Sequence, residues 1–243
     1  MAAAFAQEPP TLRRSWEAFV AHLPTLLVIW LVSGAISAVG SGVSLLAVLV
    51  GLGPAALDPA TLSGAALEPT TPLATTALLL SQVAQLPLMV LSSLVGVLLM
   101  AVPALHYATG HTITLEESFR LLGQRPWRYL LAGLAYGLIT AAGLLLCLLP
   151  GFAVLLVGPV YVNRIFTTDE TIKQAFSRSW QAVFRSPHGM TFIGVQAMVG
   201  SVVLVAAFCT CGIAALVAVP LGNFYLQNSA YHLGLIRSGE PTS

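Results

Sequence analysis

Long stretches without a charged side chain dominate the chain. Residues 23–57, 70–115 and 186–236 each lack Asp, Glu, Lys and Arg. A helix needs about 20 mainly apolar residues to cross the ~30 Å hydrocarbon core of a bilayer. We therefore predict six transmembrane helices, with the last stretch divided into two near residues 210–212. These spans cover residues 24–51, 78–105, 129–149, 152–166, 189–209 and 212–234.

The fourth predicted span is the shortest. As a helix it covers about 22 Å, less than the hydrocarbon thickness, and Gly158-Pro159 interrupts it. A complete crossing and a re-entrant segment both fit this pattern. The crossing is favoured, because only six crossings bring all ten Lys and Arg residues to one side.

The cationic residues also predict the topology. Cationic loops resist translocation, so the side that carries them is expected to be cytoplasmic. Both terminal segments, 1–22 and 235–243, then lie in the cytoplasm, and 54–76 forms a loop on the opposite side. We interpret the chain as one membrane domain, 1–243, whose first apolar stretch is a retained anchor rather than a cleaved signal peptide.

Three polar segments share a pattern at the predicted cytoplasmic ends of spans. Residues 11–16, 114–119 and 171–176 each read Thr, aliphatic, two polar residues, small residue and aromatic. We predict three short amphipathic helices in the interface and a threefold helix–hairpin repeat. Capping boxes are predicted at Thr114 with Glu117 and at Thr167 with Glu170.

The composition agrees with an all-α integral membrane helical bundle. Hydrophobic residues make up 57% of the chain and charged residues only 8%, whereas a soluble domain carries about 25% charged residues. This excludes a soluble globular fold and a disordered chain. The net charge of +1 gives no indication of a nucleic-acid partner.

Residues 143–152, GLLLCLLPGF, and 168–180, TDETIKQAFSRSW, form a recognisable pattern. An apolar run ends in Pro-Gly, and a short span and an Ala-x-x-x-Ser-Trp helix follow. The pattern resembles a broad family of uncharacterised bacterial and archaeal multi-pass proteins, and the membrane domain of some glycerophosphoryl diester phosphodiesterases. The resemblance implies a helical domain in a bacterial cytoplasmic membrane. It carries over no catalytic residue, because catalysis in those enzymes belongs to a separate soluble barrel.

Several amide side chains lie inside the predicted spans, and no carboxylate does. An unpaired amide is costly in lipid, so these side chains are expected to face protein. Two interpretations stay open: the amides line a polar substrate cavity, or they join helices by hydrogen bonds. The candidates are Gln82, Gln85, Gln196, Asn223 and Gln227.

No pattern typical of an enzyme or a metal site occurs in the sequence. Phosphate loops, nucleophile elbows and metal-ligand spacings are missing, so we expect no catalytic residue, cofactor or metal. Asp169-Glu170 and Glu116-Glu117 are interpreted as helix-start residues that favour the N-terminal dipole. No pattern supports His106 or His232 as an axial haem ligand.

Cysteines and small residues leave further alternatives open. Cys147 is placed to pair with Cys209 or Cys211 on an oxidising side, or all three are buried thiols. Small residues recur every four positions and predict close helix packing, within the chain or between copies of it. They are Gly34, Ala38 and Gly42, and Gly133, Gly137 and Ala141.

Our functional hypothesis is a non-enzymatic protein that binds or organises membrane lipids or partner membrane proteins. Cationic side chains near an anionic leaflet gain about 1 kcal/mol each. The expected headgroup contacts are Arg13, Arg14, Arg120, Arg125 and Arg178. The alternative is a transporter or permease component whose cavity is lined by the five amides.

Overall fold

A computed structural model describes residues 6–52 and 72–236. The described residues are helical apart from short connections, and no strand occurs among them, so the predicted all-α class is confirmed. The helices are α1 (Leu12–Leu52), α2 (Pro72–Gly96), α3 (Leu98–Thr109), α4 (Leu115–Gln124), α5 (Pro126–Leu146), α6 (Leu148–Thr167), α7 (Ile172–Phe184), α8 (Gly189–Cys209) and α9 (Ala215–His232).

Five stretches of helix are long and apolar enough to cross a membrane. They are Leu12–Val50, Leu79–Thr109, Pro126–Leu146, Leu148–Thr167 and Gly189–Cys209. Helix α9, which holds most of the predicted span 212–234, is not among them, and its second half is rich in polar side chains. Of the predicted loop 54–76, residues 54–71 lie outside the described residues, and α2 begins at Pro72. Residues 237–243 of the predicted tail 235–243 also lie outside them.

The α5–α6 hairpin has a single connecting residue, Cys147, in an extended conformation (φ −169°, ψ 139°). The predicted break at Pro150-Gly151 is therefore wrong. Pro150 lies in the first turn of α6, where its missing N–H leaves no helical hydrogen bond unmade. Helix α6 consequently has 20 residues, and the shortness expected of the fourth span disappears.

Glycines allow the two helices of this hairpin to cross closely. A Cβ on Gly143 would lie 2.9 Å from both Cα and N of Gly151. A Cβ on Gly151 would in turn lie 2.7 Å from the backbone N of Leu144. Because a Cβ on either glycine would meet backbone atoms, side-chain rotation alone cannot relieve the clash.

Two of the three predicted amphipathic helices form as separate elements, namely α4 and α7. The first does not, because residues 11–16 continue directly into the 41-residue helix α1 with Pro24 inside it. The predicted box at Thr167 with Glu170 is also wrong, since α7 is capped by Thr171 and Gln174.

The three similar segments nevertheless begin in the same way. The hydroxyl oxygens of Thr11, Thr114 and Thr171 each accept a backbone N–H three residues later, at 3.3 Å. The small residue of each segment is completely buried; these residues are Ser15, Ser118 and Ala175. The local likeness thus extends to hydrogen bonding and burial, whereas the threefold helix–hairpin repeat stays a prediction.

The chain divides into two compact units. The larger unit contains Met1–Val28 and Val97–Ser243, and the smaller unit contains Ile29–Gly96. In the smaller unit, Ser92 Oγ lies 3.0 Å from Ser33 Oγ and 2.7 Å from Ser37 Oγ. These serines join α1 and α2 by hydrogen bonds.

The glycines of the two predicted small-residue faces are not points of close helix approach among the described residues, whereas packing between copies of the chain stays a prediction. A Cβ on Gly34, Gly42, Gly133 or Gly137 would meet no described atom within 4 Å. In the smaller unit the close approach is at Gly40 instead, where a Cβ would lie 3.3 Å from Leu88 Cβ.

Candidate site: a cavity with two polar layers

The larger unit contains a cavity of about 330 Å³ between α3, α5, α6, α8 and α9. It follows α6 from Leu155 to Phe166, a length of about 16 Å at the helical rise. Most of its lining is apolar, and none of its described lining residues is charged. The polar lining residues are Tyr129, Tyr136, Tyr161, Gln196, Asn223 and Gln227.

Pro159 produces the first polar layer. Proline has no N–H, so the carbonyl four residues earlier, that of Leu155, has no partner within the helix. Gln196 Nε2 donates to this carbonyl from α8 at 3.3 Å. The hydroxyl of Tyr136 on α5 lies 3.4 Å from it and 3.1 Å from the carbonyl of Val154. We call this group the Leu155 layer.

Glycine is required where Tyr136 approaches α6. A Cβ on Gly158 would lie 2.6 Å from the Tyr136 hydroxyl oxygen. The Gly158-Pro159 pair therefore allows the hydroxyl to approach and leaves a carbonyl free. The Gly158-Pro159 pair, which interrupts the apolar pattern of the fourth span, is therefore the place where α5 and α8 bond to α6.

The second polar layer, the Pro159 layer, lies one turn further along α6. Gln227 Nε2 donates to the Pro159 carbonyl at 2.8 Å. Asn163 Nδ2 donates to Gln227 Oε1 at 3.0 Å and to the Tyr231 hydroxyl at 3.2 Å. Asn163 is completely buried. The sequence reading did not single it out, because one Asn near the end of an apolar run gives no periodic signal.

Two hydrogen bonds between α6 and α9 share one sequence separation. Pro159 bonds Gln227 and Asn163 bonds Tyr231, each across 68 residues, so the two helices run parallel where they touch. Asn223, one turn before Gln227 on α9, also lines the cavity. Its Nδ2 and the Oε1 of Gln196 are buried without a hydrogen-bond partner among the described residues.

The five predicted amides do not share one lining. Gln196, Asn223 and Gln227 line the cavity of the larger unit. Gln85 lines a cleft of about 230 Å³ in the smaller unit, together with serines of α1 and α2, and Gln82 is exposed. Gln227 and Gln196 join helices by hydrogen bonds, as one of the two interpretations expects, whereas the substrate cavity stays a prediction.

Arginines and two carboxylates meet where α5, α6 and α7 come together. Glu170 accepts hydrogen bonds from Arg164 Nη1 at 3.1 Å and Arg178 Nη1 at 2.6 Å. Arg125 pairs with Asp169, and Arg128 donates to the Glu170 carbonyl at 3.0 Å. Four guanidinium groups thus face two carboxylates. Glu170 stands directly before Thr171, the N-cap of α7, and in addition its side chain binds two arginines, which the sequence analysis did not predict.

Four of the five predicted headgroup arginines already pair with carboxylates. Arg13 pairs with Glu17 and Arg14 with Glu8, whereas Arg125 and Arg178 belong to the cluster just described. Arg120 is exposed and forms no ion pair with any described residue. Headgroup contact by the other four would have to compete with an existing partner.

Histidines near the helix ends bind backbone. Nδ1 of His22 donates to the Ala18 carbonyl at 2.7 Å, and Nε2 accepts the Ile113 N–H at 3.0 Å. His106 Nδ1 contacts the His111 carbonyl, and His232 Nδ1 the Gln7 carbonyl. Within residues 6–52 and 72–236, no three His, Cys, Asp or Glu side chains are grouped as metal ligands.

The three cysteines are free thiols with exposed side chains. They are Cys147, Cys209 and Cys211. The structure therefore contains no disulfide from Cys147 to Cys209 or Cys211, and the three thiols are not buried. Cys209 ends α8, and Gly212, with φ +90°, lies in the turn before α9.

The Pro159 layer gives a stability prediction. Asn163→Leu removes the donor to Gln227 and Tyr231 and leaves both without their partner, so we expect a loss of about 1–3 kcal/mol. The measurement is the free energy of unfolding in a mild detergent. Gln82→Leu changes an exposed amide and is expected to stay within about 0.5 kcal/mol of the parent. Equal losses in the two variants would show that the layer contributes nothing.

The chain matches no protein-family model, no curated protein and no solved structure. The class of protein is therefore given by the fold and the site alone. It is a helical, membrane-embedded protein with five spanning-length apolar stretches. Its larger unit holds an uncharged cavity crossed by two polar layers.

Proposed function

We propose that the protein binds a membrane lipid in the cavity of its larger unit, without catalysing a reaction, and so organises lipids or partner membrane proteins. The observation that supports this is the cavity itself. Binding sites for small molecules have volumes of about 300–1,000 Å³ and mainly apolar linings with a few placed polar groups. The cavity here fits that description and runs along a helix of spanning length.

The cavity is accessible from the surface of the larger unit. Gly133 and Met100 line it, and both are exposed. An acyl chain entering at this opening would contact the apolar lining between the tyrosines. The hydroxyls of Tyr136 and Tyr161 are bonded to backbone carbonyls, which favours a preformed binding site.

We further propose six spans, with both termini in the cytoplasm of a bacterial cytoplasmic membrane. Helix α9 would form the sixth span, its polar side chains shielded by the bonds to α6 and to the N-terminal segment. Asn228 Nδ2, for example, donates to the Ala6 carbonyl at 3.2 Å. The arginine cluster would then lie on the cytoplasmic face. The relation to the phosphodiesterase membrane domains remains part of this proposal.

Filling the cavity tests the function. Gly133→Leu adds a bulky side chain at a lining position where a Cβ meets no described atom within 4 Å, so it narrows the cavity opening. In vesicles containing a phospholipid with a diazirine on its acyl chain, we expect about tenfold less photolabelling of the α6 and α9 peptides.

Gly137→Leu is the matched control, one turn further along α5 and outside the cavity lining. It should label like the parent protein. If Gly133→Leu also retained full labelling while remaining folded, acyl-chain binding in the cavity would be refuted.

A transporter component is the second candidate function. Three of the five amides that the sequence analysis expects in a transporter cavity line one cavity of the larger unit. Gln227, however, bonds α6 through both Oε1 and Nε2 of its amide. These bonds between α6 and α9 argue against a wide passage through the cavity. Movement of a lipid analogue between the leaflets of proteoliposomes, abolished by Gly133→Leu, would favour this candidate over binding alone.

A further inference from the structure

Two arginines converge on one oxygen atom where α5 begins. Arg125 pairs with Oδ1 of Asp169, and Arg128 Nη1 lies 3.6 Å from the same atom. The Arg128 side chain is only 17% exposed, and its Nη2 donates to the carbonyls of Thr168 and Glu170 at 2.5 and 3.0 Å. Arg125 and Asp169 are both exposed. A fixed guanidinium group and an accessible one therefore face a position that a carboxylate oxygen occupies.

The arginine cluster also carries an excess of positive charge. Its ion pairs join four guanidinium groups to two carboxylates, which leaves two positive charges unbalanced among the described residues. A phosphate ester carries at least one negative charge and presents several oxygens to the forked donors of arginine. A phosphate ester therefore complements the cluster both in charge and in hydrogen bonding.

These arginines lie at one end of the cavity. Arg128 directly precedes Tyr129 on α5, and the ring of Tyr129 stacks on that of Phe166, near the end of α6, with 4.3 Å between centroids. Both rings line the cavity. The charge of Arg128 also acts on the hydroxyls of Tyr129 and Tyr161, a third lining residue. A lipid whose acyl chain follows α6 through the cavity would therefore have its polar group beside Arg128.

We infer that the cavity takes an anionic phospholipid, whose phosphate binds Arg125 and Arg128 while one acyl chain lies along α6. The phosphate takes the position of the Asp169 carboxylate, which turns to solvent. Asp169 is thus an internal competitor for the two guanidinium groups. The inference rests on the proposed lipid binding and specifies the class of lipid.

The test compares two lipids that differ only in the phosphate. Phosphatidic acid and diacylglycerol with the same diazirine-labelled acyl chain are each placed in phosphatidylcholine vesicles containing the full-length protein. We expect phosphatidic acid to label the α5 and α6 peptides about tenfold more strongly, since its phosphate forms charge-assisted hydrogen bonds with two guanidinium groups. Glycerol 3-phosphate, which has the phosphate without the acyl chains, is expected not to displace the label at about 1 mM.

Two variants should change the phosphatidic acid signal in opposite directions. Arg125→Gln removes the accessible guanidinium group and should lower the signal about tenfold. Asp169→Asn removes the competitor and should raise it about two- to fivefold, the range that an exposed ion pair contributes. Arg185→Gln removes the same charge at the far end of α7 and should leave the signal unchanged. A constant diacylglycerol signal in all three variants shows that the cavity remains intact.

The outcomes separate this inference from the proposed function. If both lipids label equally and Gly133→Leu abolishes both signals, the cavity binds lipid without selecting the phosphate, and only the inference fails. A phosphatidic acid signal that does not rise in Asp169→Asn would also overturn it, because Asp169 would then not compete. Displacement by glycerol 3-phosphate would assign the arginines to a free phosphate ester instead of a lipid. If neither lipid labels these peptides above the level of Gly133→Leu, lipid binding itself fails.

Discussion

Gly143→Val is expected to prevent the α5–α6 hairpin from closing. The first added carbon would already lie 2.9 Å from the backbone of Gly151, and the rest of the side chain would require the helices to separate. Overpacking costs about 1–3 kcal/mol where side chains can yield. Here the obstacle is backbone, so we expect at least about 3 kcal/mol, seen as a fall of about 10 °C in the apparent Tm in detergent.

Gly137→Val is the control for that experiment. It introduces the same side chain into the same helix, at a position where a Cβ meets no described atom within 4 Å. The intrinsic helical preferences of the two variants are alike, so the difference between them reports the crossing. A Gly143→Val protein as stable as Gly137→Val would show that the helices do not approach as described.

The hairpin shows how far the sequence can predict the fold. Its apolar pattern predicts two helices, and its Pro-Gly pair marks an interruption. Proline and glycine are the strongest local breakers, so the prediction placed the break at Pro150-Gly151. The actual break, at Cys147, lies midway between Gly143 and Gly151, which meet from different helices. Neither glycine by itself indicates that the two will meet, so the sequence does not mark the break.

The cavity was predictable only in part, for a related reason. Helical spacing placed Asn223 and Gln227 on one face, and both line the cavity. The partner of Gln196, however, is a backbone carbonyl 41 residues away that is free only because of Pro159. Sequence reasoning recognises such a proline as a kink, but it cannot identify which distant side chain will satisfy the released carbonyl.

The arrangement of the charged residues was also predictable only in part. Their predicted placement on one side depends on the count of charges in each loop, which can be read from the chain. Their pairing depends on which helix ends meet. Glu170 was therefore interpreted through the nearest helix start, whereas its side chain bonds Arg164 and Arg178.

Glu170→Ala is expected to cost about 2–4 kcal/mol of unfolding free energy. The side chains of Glu170 and Arg164 are only 12% and 14% exposed, and removing one member of a buried pair leaves the other charge uncompensated. Glu17→Ala breaks the pair with Arg13, whose two side chains are 59% and 89% exposed, and should cost at most about 0.5 kcal/mol. Both losses are measured in the same detergent at low and high salt.

A double variant identifies the cause of the Glu170→Ala loss. Combining it with Arg164→Met removes the isolated charge as well as its partner, and a buried pair replaced by apolar groups is often near neutral. We therefore expect the double variant to regain at least half of the stability lost by Glu170→Ala alone. If it is less stable than Glu170→Ala, Arg164 contributes mainly through packing, and the ion pair is not what holds α6 to the start of α7.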